Sequence, residues 1–133
     1  MAGKGADFSF GNRRQLRKST WRRMAAPSSN MDKITGLKEI LELDPKNSFA
    51  HYGLAMELAG RGETAAALAE FDALLANDPG YTAGYFMSAQ TLVAAARAQE
   101  AIARLKAGIE SATRSGNHHA VSEMQDMLDE LQR

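Results

Sequence analysis

The chain has 133 residues, contains no cysteine, and is 44% hydrophobic and 24% charged. This composition suits one domain with a packed core, and the lack of cysteine excludes disulfides, thiolate metal sites and cysteine nucleophiles. The net charge of zero hides an asymmetry, because residues 1–30 carry seven Lys/Arg and one acid, whereas residues 31–133 carry nine Lys/Arg and fifteen Asp/Glu. The sequence therefore predicts a basic N-terminal extension, residues 1–30, ahead of an acidic folded domain, residues 31–133.

The extension concentrates its positive charge in a short cluster that also contains Trp21. The cluster consists of Arg13, Arg14, Arg17, Lys18, Arg22 and Arg23. Because glycine, proline and serine flank it and no repeat appears, we predict that the extension is disordered and is a dispensable leader upstream of Met31. Two alternative interpretations stay open. The cluster would suit the phosphates of a nucleic acid or an anionic membrane surface, and it also resembles an organelle targeting sequence.

The remaining chain repeats its apolar positions every 34 residues. The equivalent positions are Ile34/Leu68/Ile102, Leu37/Phe71/Leu105 and Leu41/Leu75/Ile109. Within each unit the apolar residues recur at i, i+3, i+6 and i+7, which is typical of a helix. Asp44-Pro45 and Asp78-Pro79 end a helix at the same point of successive units, since the residue before proline disfavours the α conformation. The sequence predicts six helices, over residues 32–43, 48–60, 64–76, 81–95, 98–114 and 118–132.

The segment Ser48–Pro79 resembles a tetratricopeptide repeat. The residues that carry this resemblance are His51, Leu54, Ala55, Leu58, Gly62, Ala67, Phe71 and Pro79. The second unit, Thr82–Thr113, matches less fully, and Ala96 stands where the family has its turn glycine. The resemblance covers residues 32–113 and implies an all-α fold, a short α-solenoid of antiparallel helix pairs. The helix over residues 118–132 is amphipathic and is predicted to cap the stack.

The resemblance also implies a concave groove lined by the first helix of each unit. The corresponding residues here are Phe49, Tyr52, Met56, Phe86, Gln90 and Val93. An apolar face of this kind would receive a helix or an extended peptide of another protein, or it would be covered by neighbouring helices or the cap. The lysines, arginines and asparagines with which some family members hold a chaperone's C-terminal carboxylate are missing, so that partner is disfavoured. The predicted function is a protein–protein interaction module.

Other classes of function have weaker support in the sequence. A homodimer formed through the apolar ends of a short stack is the main alternative. No nucleotide-binding loop, nucleophile motif or metal-ligand spacing appears, so we expect no enzymatic activity, cofactor or metal. His51 lies at a helix-packing position, and the adjacent His118 and His119 point in different directions on a helix. No apolar run is long enough to span a membrane, and we expect a cytoplasmic location.

Overall fold

The structure is a computed structural model that describes residues 26–133, with their side chains from Lys33 onward. The described part consists of six α-helices: α1 (Ala26–Leu43), α2 (Ser48–Gly60), α3 (Thr64–Asn77), α4 (Thr82–Ala94), α5 (Ala98–Arg114) and α6 (His118–Leu131). The prediction of an all-α repeat fold is confirmed, and the limits of the last five helices agree with the predicted ones to within one residue. None of the described helices has the length and apolar character needed to cross a membrane.

Helix α1 differs from its prediction, because it begins at Ala26 and not at residue 32. Pro27 lies in its first turn, where the missing N–H would have no intrahelical partner, so proline does not end a helix there. The chain divides into two compact units, residues 1–36 and residues 37–133, and α1 spans the division. In the first unit only the N-terminal part of α1 is described. The predicted boundary between residues 30 and 31 stays a prediction.

The second unit is built on two antiparallel helix pairs, α2 with α3 and α4 with α5, and α6 packs against α5. Asn47 begins α2, because its side-chain oxygen accepts the Ala50 backbone N–H at 2.8 Å. Asn117 begins α6 in the same way, through the Ala120 N–H. One continuous core joins α2 to α6, and its largest fully buried side chains include Phe71, Leu74, Leu105 and Met124.

Three helix ends in the second unit have the same backbone geometry. After α2, α4 and α5 one residue adopts a positive φ: Gly62 (80°), Ala96 (61°) and Gly116 (74°). The following N–H in each case bonds back to a carbonyl five residues earlier, for example Arg97 N–H to Leu92 O at 2.8 Å. This is the Schellman arrangement, which normally requires glycine at the positive-φ position. The turn at Ala96 therefore has the same backbone conformation as the glycine turns, although alanine occupies the glycine position.

Glycine brings α5 close to both of its neighbours. A Cβ added at Gly108 would lie 2.6 Å from the Cβ of Tyr85 in α4 and 2.7 Å from the Sδ of Met124 in α6. No real Cβ tolerates such distances, and the Tyr85 Cβ cannot move without its backbone. The absence of a side chain at Gly108 therefore sets the spacing of α4, α5 and α6, which position the pocket described below.

Candidate functional site

The first helices of successive repeats, α2 and α4, form a pocket together with α6. Its volume is about 270 Å³, and its walls are mostly apolar. The lining residues are Tyr52 from α2, Thr82, Ala83, Phe86 and Met87 from α4, and Asn117, His119, Ala120, Glu123 and Met124 at the start of α6. The volume lies just below the ~300–1,000 Å³ typical of small-molecule sites. A pocket of this size suits one large side chain of a bound segment.

An aromatic cluster holds Tyr52 in place at one wall of the pocket. Its ring meets Phe71 of the core edge to face, with centroids 6.4 Å apart, and lies 5.2 Å from the ring of Tyr81. Burial of the Tyr52 hydroxyl raises its pKa, and the neighbouring Tyr81 raises it further. The hydroxyl is therefore neutral at physiological pH, and it is available as a hydrogen-bond donor on an otherwise apolar wall.

The structure brings two of the six predicted groove residues into the pocket, Tyr52 and Phe86. Met56 packs partly buried against the core next to them and does not line the pocket. Phe49 is 68% exposed, Val93 is 37% exposed, and Gln90 is also exposed. These three residues lie on the same two helices outside the pocket. The predicted groove is therefore an apolar surface with one concave point.

The residues that the sequence prediction missed belong to α6. The sequence predicted α6 only as an amphipathic capping helix, whereas Met124 and Glu123 of this helix line the pocket. Met124 is fully buried, and Glu123 is half exposed at the mouth. The signal that could have located them is positional, because α6 follows α5 just as α4 follows α3. It therefore occupies the place of a first helix and adds a third wall to the groove.

The pocket-forming helices carry charge of one sign only. Helices α2, α4 and α6 contain five acids and neither lysine nor arginine, and the acids are Glu57, Glu123, Asp126, Asp129 and Glu130. The nine Lys/Arg of residues 31–133 lie in α1, in α5, in the turns and at the C-terminal residue. Glu123 is the acid that lines the pocket, and its carboxylate lies 3.4 Å from Nε2 of His119.

A second depression, of about 380 Å³, lies between α3, α4 and α5. Its charged side chains are Glu100 and Arg104, and each of them already has a partner. Arg104 donates to Asp72 at 2.6 Å, and Glu100 receives a two-bond contact from Arg97 at 2.7 and 2.8 Å. This contact lowers the pKa of Glu100 and raises that of Arg97. Since these groups satisfy one another, the depression offers fewer unmet interactions than the apolar pocket.

His51 has a structural position, as the sequence predicted. It is buried and bridges three segments, since Nε2 donates to the Pro45 carbonyl at 2.8 Å and Nδ1 lies 2.8 Å from a carboxylate oxygen of Glu70. Among residues 33–133, no three His, Asp or Glu side chains are grouped closely enough to hold a metal ion. The basic cluster from Arg13 to Arg23 lies outside the described residues, so its predicted contacts stay predictions.

Comparison with known proteins places this helical-repeat architecture in a family. The family model of the tetratricopeptide repeat matches residues 58–122. The solution structure of a tetratricopeptide repeat domain protein from Salinibacter ruber is 32% identical, with a TM-score of 0.62, over 66% of this chain and 89% of that one. A crystal structure of a tetratricopeptide repeat domain protein from the same organism is 30% identical, with a TM-score of 0.59, over 65% of this chain and 96% of that one. No curated protein matches the chain significantly.

A more distant likeness concerns the fold alone. The TPR2B domain of yeast Sti1, in its complex with pHsp70, has a TM-score of 0.72 at 18% identity, over 81% of this chain and 88% of that one. The repeats, the turns and the face built by α2, α4 and α6 define a helical-repeat protein. The chain belongs to the tetratricopeptide repeat family, whose fold is a general protein–protein interaction module.

Proposed function

We propose that this protein binds a helix or an extended peptide of another protein on the apolar face of α2, α4 and α6. The observation that supports this most strongly is the pocket of about 270 Å³ in which Tyr52, Phe86 and Met87 converge with the cap helix. Apolar side chains lined up on neighbouring helices recognise the apolar face of a partner helix or the side chains of a peptide. Methionine in the lining allows the pocket to adapt to different side chains.

The exposed residues on the same helices extend the docking surface beyond the pocket. Phe49 precedes Tyr52 by one helical turn, and Val93 follows Phe86 by two turns. Exposing a large apolar side chain to water is unfavourable, and covering it with a partner lowers the free energy of the system. In this proposal the pocket receives one anchoring side chain, and the exposed residues contact the rest of the segment.

The experiment is affinity capture of partners with the full chain, in parallel with two variants. Ala83 lines the pocket, and Ala83→Tyr would fill it without removing any core contact, since Ala83 is exposed. Ala76 in α3 is also exposed and lies outside the pocket, so Ala76→Tyr is the matched control. We expect Ala83→Tyr to lose partners that the wild type and Ala76→Tyr retain. Identical partner sets for all three proteins, each folded by circular dichroism, would refute the proposal.

A further inference from the structure

The chemistry of the pocket's occupant follows from the charge of the helices that surround it. We infer that the partner segment is basic and amphipathic: an apolar side chain enters the pocket, and a lysine or arginine one helical turn away pairs with Glu123. This inference rests on the proposed function, because it presumes that a peptide segment docks at this pocket.

The first argument is the distribution of charge over the helices. The three helices that form the docking face carry five acids and no lysine or arginine, while the basic residues of the domain lie in other segments. An acidic segment placed at the pocket would meet Glu123 as a like charge, with no lysine or arginine on these helices to offset it. A basic segment would meet opposite charges, which speeds association and excludes wrong partners.

The second argument is the position of Glu123 on the rim. Met124 forms the buried wall of the pocket and Glu123 its mouth, so an apolar anchor and a carboxylate are presented side by side. Glu123 is about half exposed, and its carboxylate lies 3.4 Å from His119, whose side chain is itself 84% exposed. A partner's lysine or arginine carries a full positive charge and would compete with this solvent-exposed contact for the carboxylate.

The third argument is the neutrality of the remaining lining. Tyr52 presents a neutral hydroxyl, and the α4 wall consists of Thr82, Ala83, Phe86 and Met87. The aliphatic stem of a lysine or arginine packs well on methionine and aromatic surfaces while its charged end stays at the rim. The aromatic faces of Tyr52 and Phe86 also attract a cation. The residues that line the pocket include no lysine or arginine.

The test uses a displayed library of random 16-residue peptides, selected on the full chain. We expect the selected peptides to combine large apolar residues with lysine or arginine three or four positions away. The affinity of one selected peptide is then measured by calorimetry for the wild type, for Glu123→Lys and for Asp129→Lys. Asp129 lies on the same helix, is exposed and does not line the pocket, so its reversal is a control for net charge.

We expect Glu123→Lys to weaken binding about tenfold, since the reversal removes a rim ion pair and adds repulsion. Asp129→Lys should change the affinity less than about twofold, and salt should weaken the wild-type complex. Selected peptides rich in Asp or Glu, or an equal effect of both reversals, would overturn the inference. If Ala83→Tyr still abolished binding in that case, the proposed function would survive. Peptides that bind all variants alike, Ala83→Tyr included, would remove the proposed function as well.

Two other occupants give distinct outcomes. If the wild type binds no peptide but a full-length variant with all six residues of the basic cluster changed to alanine does, the chain's own N-terminal extension is the occupant and the inference is overturned. If the wild type is a dimer in sedimentation and Ala83→Tyr makes it monomeric, a second copy is the occupant and the inference is likewise overturned. A monomeric wild type that binds the selected basic peptide supports it.

Discussion

Ala96 adopts a backbone conformation that costs free energy for any residue with a side chain, and its replacement by glycine should stabilise the protein. Its φ is 61°, while the equivalent positions of two other turns hold Gly62 and Gly116 at 80° and 74°. The left-handed conformation costs a non-glycine residue roughly 1–2 kcal/mol. Glycine loses about 0.5–1 kcal/mol more entropy on folding than alanine does. At the midpoints of these two ranges the expected net gain for Ala96→Gly is therefore about 0.75 kcal/mol.

The assay is urea unfolding followed by circular dichroism, with a thermal melt in parallel. For a domain of this size the gain corresponds to an increase in Tm of roughly 2–8 °C. Gly62→Ala should show the opposite effect, and an added Cβ there meets nothing within 4 Å, so that its cost comes from the backbone alone. Ala95→Gly is the control: Ala95 has a φ of −91°, and glycine should destabilise the protein there. If Ala96→Gly and Ala95→Gly both lower the Tm, strain at Ala96 is not what limits the stability of this turn.

Three further variants test the packing and the polar contacts. Gly108→Ala should lower the free energy of unfolding in urea by about 1–3 kcal/mol, because the added Cβ would collide with Tyr85. Gly53→Ala is the control and should cost much less, because its Cβ meets only the end of a flexible leucine side chain at 3.2 Å. Equal costs for the two variants would contradict this reasoning. His51→Leu should cost about 1–3 kcal/mol by leaving the Pro45 carbonyl without its donor, and a neutral result would show that water replaces the ring. Glu100→Gln tests the pH dependence of the Arg97–Glu100 contact. Because this contact lowers the pKa of Glu100 from 4.5, the stability it contributes is present above pH 4.5 and is lost as the pH falls through the lowered pKa. The two melting curves should therefore converge in acid, and a difference that persists there would refute the assignment.

The repeat could be read from the sequence because the physics that makes it is local. Apolar positions at helical spacing must face a neighbour, so the 34-residue shift identified Leu68, Phe71, Leu75 and Leu105, all of which are buried in the core. The ends of α2 to α6 were predictable because Asn47, Asn117, Gly62 and the two Asp-Pro pairs act through their immediate backbone. The start of α1 was not, since Pro27 is compatible with both the end of an extension and the first turn of a helix.

The pocket was less predictable, because it depends on how far apart helices from different repeats lie. Periodicity identifies Tyr52 and Phe86 as the residues on one face, but it does not show whether that face is flat or concave. The concavity arises from α6, whose approach is set by Gly108, and a glycine in a helix gives no sign of the neighbour it admits. The hydrogen bonds of His51 were likewise invisible, since Glu70 is far from it in the sequence and its pairing depends on the packing of α3 against α2.

The two repeats share an interaction and not a residue type, and this explains how the apolar face of α2 and α4 is positioned. His51 and Tyr85 are 34 residues apart, and each reaches back to the carbonyl of the proline that precedes its own helix, at 2.8 and 2.6 Å. That carbonyl needs a donor once it is withdrawn from water. At Pro79 the Ser111 hydroxyl also donates to the same carbonyl, at 2.9 Å. At Pro45 the second nitrogen of the histidine must also be satisfied, and Glu70 lies 2.8 Å from it. Tyr52 and Phe86 are the next residues along these helices, so their side chains point to a different face of the helix from His51 and Tyr85. The contacts that fasten each turn therefore also place the two aromatic walls of the pocket at equivalent positions of successive repeats.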